Sequence, residues 1–114
     1  MLNSFNRLSK NKDFDKVFQK GRSSYQEVLG AKLIPNNLDH NRFGVLVGLK
    51  INKKAVIRNK VKRQIKAVIR LEEPFLKKGY DCVIVVLPLI LAKKYSDIKL
   101  NLKTSFKKLN FYQD

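Results

Sequence analysis

The segment at residues 53–70, KKAVIRNKVKRQIKAVIR, constrains this chain more than any other. On a helical period Ile57, Val61, Ile65 and Val68 fall on one stripe, while Asn59, Arg63, Lys66 and Arg70 point the opposite way and Lys62 flanks them. One side of such a helix packs on a core and the other repels itself. No acidic residue lies between Asp39 and Glu72, so the i to i+4 Glu/Lys pairs that lace a solvated helix cannot form. A face kept merely soluble mixes both signs; this one calls for a polyanion as its counter-charge.

The whole chain carries the same bias, with a formal net charge of +16 over 114 residues. That length suits one compact domain spanning residues 1–114, and the self-repulsion is tolerated when a partner supplies the opposite charge. Nucleic acid is the leading partner. An anionic membrane surface would favour bulky Trp, Phe or Leu on the apolar side of the helix, where Ile and Val stand. Cys82 is the only cysteine and sits within an apolar run, so it reads as a small buried hydrophobe in a reducing compartment. His40 is also alone, which leaves no zinc cluster and no Cys/His nucleophile pair to assemble. Neither a signal-peptide core nor a membrane-spanning run is found, and a cytoplasmic location is expected.

Residues 1–10 read as an irregular basic lead-in whose Leu8 touches the core. Over residues 11–20 the signals are helical: Asn11 can cap the free amides, Asp13 and Asp15 suit the positive end, and Gly21 ends the helix. Phe14, Val17 and Phe18, at i, i+3 and i+4, form an apolar patch that is either core or a wall on which unpaired bases stack. Residues 22–34 contain a weakly alternating strand, with a short extended piece around residues 23–26, before a turn at Pro35 and NNLDHN. In the next strand, residues 42–49, Phe43, Val45 and Val47 face one side and Gly44, Leu46 and Gly48 the other. These two strands read as an antiparallel hairpin with a long loop. The two glycines leave room for a helix or for a ligand lying flat.

Glu72, Glu73 and Pro74 break the basic helix, and the unalternating run at residues 80–87 reads as a central strand covered on both faces. Ser96 can cap a last helix reaching about Asn110, with Ile98, Leu102, Phe106 and Leu109 inward and Lys99, Lys103 and Lys107 outward. The class is α+β, a small mixed sheet packed with helices in the order α-β-β-(β)-α-β-α. The passage through the basic helix has the form of a β-α-β crossover, right-handed on base rates if its strands are parallel.

No carboxylate pair, metal-ligand spacing, nucleophile with its base or phosphate-cradling glycine loop stands out. Function therefore rests on binding. Arg and Lys at this density read phosphates and backbone shape, with affinity falling on the order of 10³ to 10⁵ between 50 and 200 mM salt when six to ten phosphates are neutralised. Arg58 and Arg63 can fork onto phosphate oxygens, Lys60, Lys62 and Lys66 act as point charges, and Asn59 can bond a 2′-hydroxyl.

The segment AVIRNKVKRQIK, residues 55–66, closely resembles the RNR-type signature of the bacterial ribonuclease P protein family, and KNKDFDKVFQKG, residues 10–21, resembles that family's first helix. The similarity in element spacing runs from about Arg7 to Leu109 and includes RFGVLV before the basic helix and GYDCVIVVLP after it. The resemblance implies a compact α+β sandwich in which the basic helix joins parallel strands by a left-handed crossover, against the base rate. It also implies a protein cofactor of a catalytic RNA that, with Mg²⁺ bound mainly by the RNA, frees the 5′ leader of precursor tRNA. The RNA performs the hydrolysis, so no catalytic residue or metal ligand is expected in the protein. By the same resemblance Arg58, Asn59, Lys60, Lys62, Arg63, Lys66 and Arg70 lie against the catalytic RNA. Phe14 and Phe18 form the stacking surface for the leader, with Lys10, Lys12, Lys50 and Lys53 on its phosphates. The implied partners are the catalytic RNA subunit and precursor tRNA, with no membrane and no DNA.

Three departures from that family's pattern carry expectations of their own. In place of a Ser-Lys-Lys-x-Gly run, residues 48–54 read GLKINKK, one residue longer and without the glycine, so Asn52 is expected to adopt the left-handed conformation. Gly30 and Ala31 stand where the family often presents an aromatic, so stacking is expected to rest on the first helix alone. Lys60 stands where Arg is usual and keeps the charge without the fork. Two rival readings remain at this point: a structural RNA-binding protein of the ribosome, and a sequence-specific DNA binder, which a missing helix-turn-helix partner disfavours.

Overall fold

The computed structural model of the chain describes residues 6–114; the part of the expected lead-in at residues 1–5 lies outside the described residues. In chain order the elements are α1 (Asn11–Lys20), β1 (Arg22–Tyr25), β2 (Leu29–Pro35), β3 (Arg42–Leu46), α2 (Ala55–Glu72), β4 (Tyr80–Val86) and α3 (Tyr95–Lys108). Short 3-10 turns at Glu73–Phe75 and Pro88–Ala92 close α2 and lead into α3. The result is an α+β fold of three helices on one four-stranded mixed sheet.

The sheet order is β1-β2-β4-β3, with β1/β2 and β2/β4 antiparallel and β3/β4 parallel. The hairpin expected between β2 and β3 therefore does not form, because β4 lies between them. Side-chain burial explains the insertion. Cys82, Ile84 and Val86 of β4 join the core on one side of the sheet, while Val83 and Val85 join the smaller cluster on the other. A strand apolar on both faces loses the most at an edge, whereas β3, short and weakened by Gly44, tolerates one. The parallel β3–α2–β4 passage is the crossover expected from the sequence.

On the larger side, α2 contributes Val61, Ile65, Val68 and Ile69 and α3 contributes Ile98, Leu102 and Phe106, packed over Leu29, Ala31, Leu33 and Phe43. Each such side chain, fully buried, contributes about 1.5–3 kcal/mol of transfer free energy. On the smaller side α1 sets Val17 against Ile34 and Val83, with Leu8 beside them as the lead-in reading expected.

Helix ends differ from the expected caps. Lys10 precedes α1 and makes no side-chain cap, so Asn11 is inside the helix. Ser96 likewise lies within α3, whose first turn is closed by the Lys94 N–H donating to Asp97 Oδ2 at 3.2 Å. Gly21 does end α1, yet with extended rather than left-handed backbone. A glycine is needed there because an added Cβ would stand 2.5 Å from the Val17 carbonyl oxygen.

Candidate nucleic-acid interface

The apolar stripe of α2 fixes which of its cations reach the surface. With Val61, Ile65 and Val68 buried, Asn59, Lys60, Arg63 and Arg70 are exposed, and Lys62 and Lys66 are partly exposed beside them. Among the described residues, Asn59, Lys62, Arg63 and Lys66 line a depression of 340 Å³ along this face. The ion pairs of the described residues join His40 to Asp39, Arg42 to Asp13 and Asp81, Lys78 to Glu73 and Lys93 to Glu27. None involves α2. Glu72, at the end of the helix, is turned inward and accepts the Tyr112 hydroxyl at 2.8 Å, so it does not neutralise the outer face.

Arg58 stands apart from the other cations. Its Nη1 donates to the carbonyl oxygens of Asn52 and Lys53 at 2.9 and 2.8 Å, bracing the loop that enters α2. That loop is not built on a left-handed asparagine: among the described residues positive φ occurs at Asn37, Gly79 and Asn110, not at Asn52. Asn52 instead accepts the Lys54 N–H on its side-chain oxygen at 2.8 Å, an Asx turn that replaces the glycine geometry. Lys50, Lys53 and Lys54 are left exposed on the loop.

The second surface is the sheet face that α1 crosses. Arg42, at the start of β3, donates from Nε and Nη2 to both carboxylate oxygens of Asp81 at 2.8 and 2.7 Å, and its Nη1 reaches Asp13 of α1 at 3.4 Å. Its pairing with Asp81 raises the Arg42 pKa further above its ordinary value, so the clamp stays charged. The clamp holds the N-terminus of α1, with Lys10 and Lys12 exposed, at the start of β3. Phe14 then lies on Gly44, where an added Cβ would be 2.5 Å from the ring, and is half-buried. The room left by Gly44 is thus filled by the helix, while Gly48 faces open space. Phe18, one turn on, is 41% exposed. Beyond α1, at the far ends of β3 and β4, Leu46, Val85 and Lys50 help line an open depression of 500 Å³.

This arrangement can be set beside known proteins. The family model described as Ribonuclease P matches residues 2–110. The chain belongs to the ribonuclease P protein family. The ribonuclease P protein component of Synechocystis is 46% identical over 83 residues, covering 72% of this chain and 67% of the relative. That of Clostridium acetobutylicum is 39% identical over 105 residues, covering 90% and 87%. The solved RNase P protein of Staphylococcus aureus superposes with a TM-score of 0.87 at 25% identity, covering 95% of this chain and 98% of that one. The chain is thus a protein component of ribonuclease P, the ribonucleoprotein enzyme of tRNA processing, and an RNA subunit is its implied partner. The ribosomal and DNA-binding alternatives fall away with that membership.

In this ribonuclease P protein the residues expected from the sequence fall on two surfaces. Asn59, Lys62, Arg63, Lys66 and Arg70 share the outer side of α2, Lys60 lies round the helix on a separate depression with Ile57, Gln64 and Ile90, and Arg58 is drawn into the entry loop. Phe14 and Phe18 lie on α1 above the sheet, with Lys10 and Lys12 at one end of β3 and Lys50 and Lys53 beyond its other end. Two residues that line the second surface escaped the sequence reading. Tyr25 pairs with Gly30 in the β1/β2 register, and Lys32 Nζ lies 5.5 Å from both the Tyr25 and the Phe18 ring centroids. The signal was present in the hairpin itself, an exposed aromatic set directly across from a strand glycine. Among the described residues no group of three or more His, Cys, Asp or Glu side chains could hold a metal ion, and no helix is long and apolar enough to cross a membrane.

Proposed function

We propose that residues 1–114 act as one RNA-binding domain that docks the outer side of α2 on the catalytic RNA and holds the 5′ leader of precursor tRNA against the α1 side of the sheet. The observation that carries this reading is the cationic side of α2 without a carboxylate partner. Lys62 and Lys66, one turn apart, and Arg63 and Arg70, two turns apart, repel one another until phosphates arrive. Arg63 and Arg70 take phosphate oxygens through their forks, Lys60, Lys62 and Lys66 add point charge, and Asn59 bonds sugar hydroxyls. Arg58 shapes the loop that presents Lys50 and Lys53.

On the second surface Phe18, with Phe14 at its base, offers a stacking wall for an unpaired leader. Lys10, Lys12, Lys50 and Lys53 neutralise the leader's phosphates as it crosses the sheet. Hydrolysis of the phosphodiester belongs to the RNA, with Mg²⁺ held mainly there, and the protein's contribution is to draw two polyanions together. Reconstitution tests this. The purified protein should leave precursor tRNA intact, and addition of the cognate RNA subunit at low Mg²⁺ should give leader cleavage that depends on the protein. Cleavage equal to that of the RNA alone under those conditions would remove the reading.

A further inference from the structure

The edge strand β1 carries an aromatic side chain that the packing of the core does not use. Tyr25 is 48% exposed and stands on the α1 side of the sheet, where its ring covers the backbone of Gly30: an added Cβ at Gly30 would fall 2.1 Å from the ring. Beside it, Lys32 projects from β2 with its ammonium 5.5 Å from the centroid of Tyr25 and equally 5.5 Å from that of Phe18. Lys32 takes part in none of the ion pairs of the described residues. Two half-exposed rings, from a helix and from an edge strand, therefore flank one cation without a counter-ion. An ammonium held this way is attracted by both ring faces, yet it gains more by meeting a phosphate, and the ring face it leaves is then free to stack.

We infer that Tyr25 and Lys32 form a subsite for a single unpaired nucleotide, the base stacking on the Tyr25 ring while the Lys32 ammonium swings from the rings onto the adjoining phosphate. The subsite rests on the leader-binding reading given above and adds to it a second wall, opposite Phe18, supplied by a different element. Gly30 is part of the design. With no Cβ beneath it the Tyr25 ring lies flat against the sheet, keeping one face toward solvent rather than standing edge-on. The competing explanation is purely structural, an aromatic covering a glycine so that the hairpin holds its register.

The experiment is a comparison of holoenzymes, reconstituted with the cognate RNA subunit, for precursor tRNA with and without its leader. The readout is the ratio of the two dissociation constants. Tyr25→Leu, which still covers Gly30 but cannot stack, should reduce the preference for the leader-bearing substrate by roughly 5- to 100-fold, and Tyr25→Phe should retain it. Gly30→Ala, which evicts the ring without deleting it, should reproduce the loss. Lys32→Gln should lower the salt slope of leader-dependent binding by about 0.7, the value for one single-strand phosphate. With 2-aminopurine placed at successive leader positions, one position should be quenched in the wild type and relieved in Tyr25→Leu. A Tyr25→Leu holoenzyme that keeps full leader preference, while Phe18→Ala loses it, overturns the subsite and leaves the leader reading standing. If neither variant changes the preference, the leader reading itself fails. A Tyr25→Phe protein as impaired as Tyr25→Leu would also overturn the subsite, since stacking does not need the hydroxyl.

Discussion

Arg42 grips Asp81 with two hydrogen bonds of 2.8 and 2.7 Å, at the point where β3 and β4 begin side by side and α1 comes down on them. The Asp81 side chain is only 6% exposed, and beside the guanidinium it accepts the Asn36 side-chain amide at 3.0 Å. Removing the guanidinium leaves a buried carboxylate with one of its three side-chain hydrogen bonds. Arg42→Ala should cost about 2–4 kcal/mol of unfolding free energy in urea titration. Arg42→Lys should recover only part of it, because an ammonium cannot reproduce the fork.

Gly44 and Phe14 form a second joint between α1 and the sheet. Gly44→Ala forces the ring off its seat and should destabilise the fold by about 1–3 kcal/mol. In a double-mutant cycle with Phe14→Leu, whose smaller side chain leaves room for the methyl group, the two losses should be less than additive. Additive losses would show that the ring and the glycine do not share the contact.

On α2, Arg63→Ala and Arg70→Ala should each weaken binding to the RNA subunit and reduce the salt slope by about 1, with thermal stability changed by no more than about 0.5 kcal/mol. Arg58→Ala should behave differently. It strips two carbonyls of their donor at the entry to α2, so part of its effect should appear as lost stability in the protein without RNA.

Tyr112 supplies a pH signature. Burial, followed by its hydrogen bond to Glu72, raises the phenol above its ordinary value near 10. A raised folded-state value means that the contribution is fully present below the unfolded pKa, about 10, and is lost as pH rises beyond it. Wild type should therefore lose stability faster than Tyr112→Phe above about pH 10, and the two curves should run parallel below it. Chemical denaturation across that interval, comparing the two proteins, checks this while cancelling the lysine titrations they share.

Cys82 is fully buried in β4, and its thiol is pushed well above the usual range by desolvation and by the neighbouring Asp81. An aromatic disulfide reagent should label it only in the fraction of molecules in which the β2/β4/β3 pairing is open, and Arg42→Ala should accelerate labelling about tenfold for each 1.4 kcal/mol of stability it loses.

Much of this was legible in the chain. The stripe of α2 and the two-sided apolar run of β4 follow from periodicity, and both elements are where the residues demand. The expected pairing of β2 with β3 fails because these sequence neighbours are not spatial neighbours: β4, apolar on both sides, requires a partner at each edge and lies between them. At Asn52 the side chain, not a left-handed backbone, shapes the loop, a choice between two local solutions that residue type alone does not decide. The place of Tyr25 is not legible from periodicity, because its partner is defined by hairpin register, and the register depends on where a short loop turns.

The place of β4 has a consequence for how the molecule comes into being. β3 hydrogen-bonds to β4, and β4 lies after α2 in the chain, so a growing polypeptide completes its charged helix before β2 and β3 can be joined into one sheet beneath it. Until residues 80–86 slot between β2 and β3, the strands under the oily flank of α2 are not joined into one surface, while its cationic flank is already open to any passing polyanion. Competence therefore arrives late and all at once, when the last third of the chain locks the first two thirds into register.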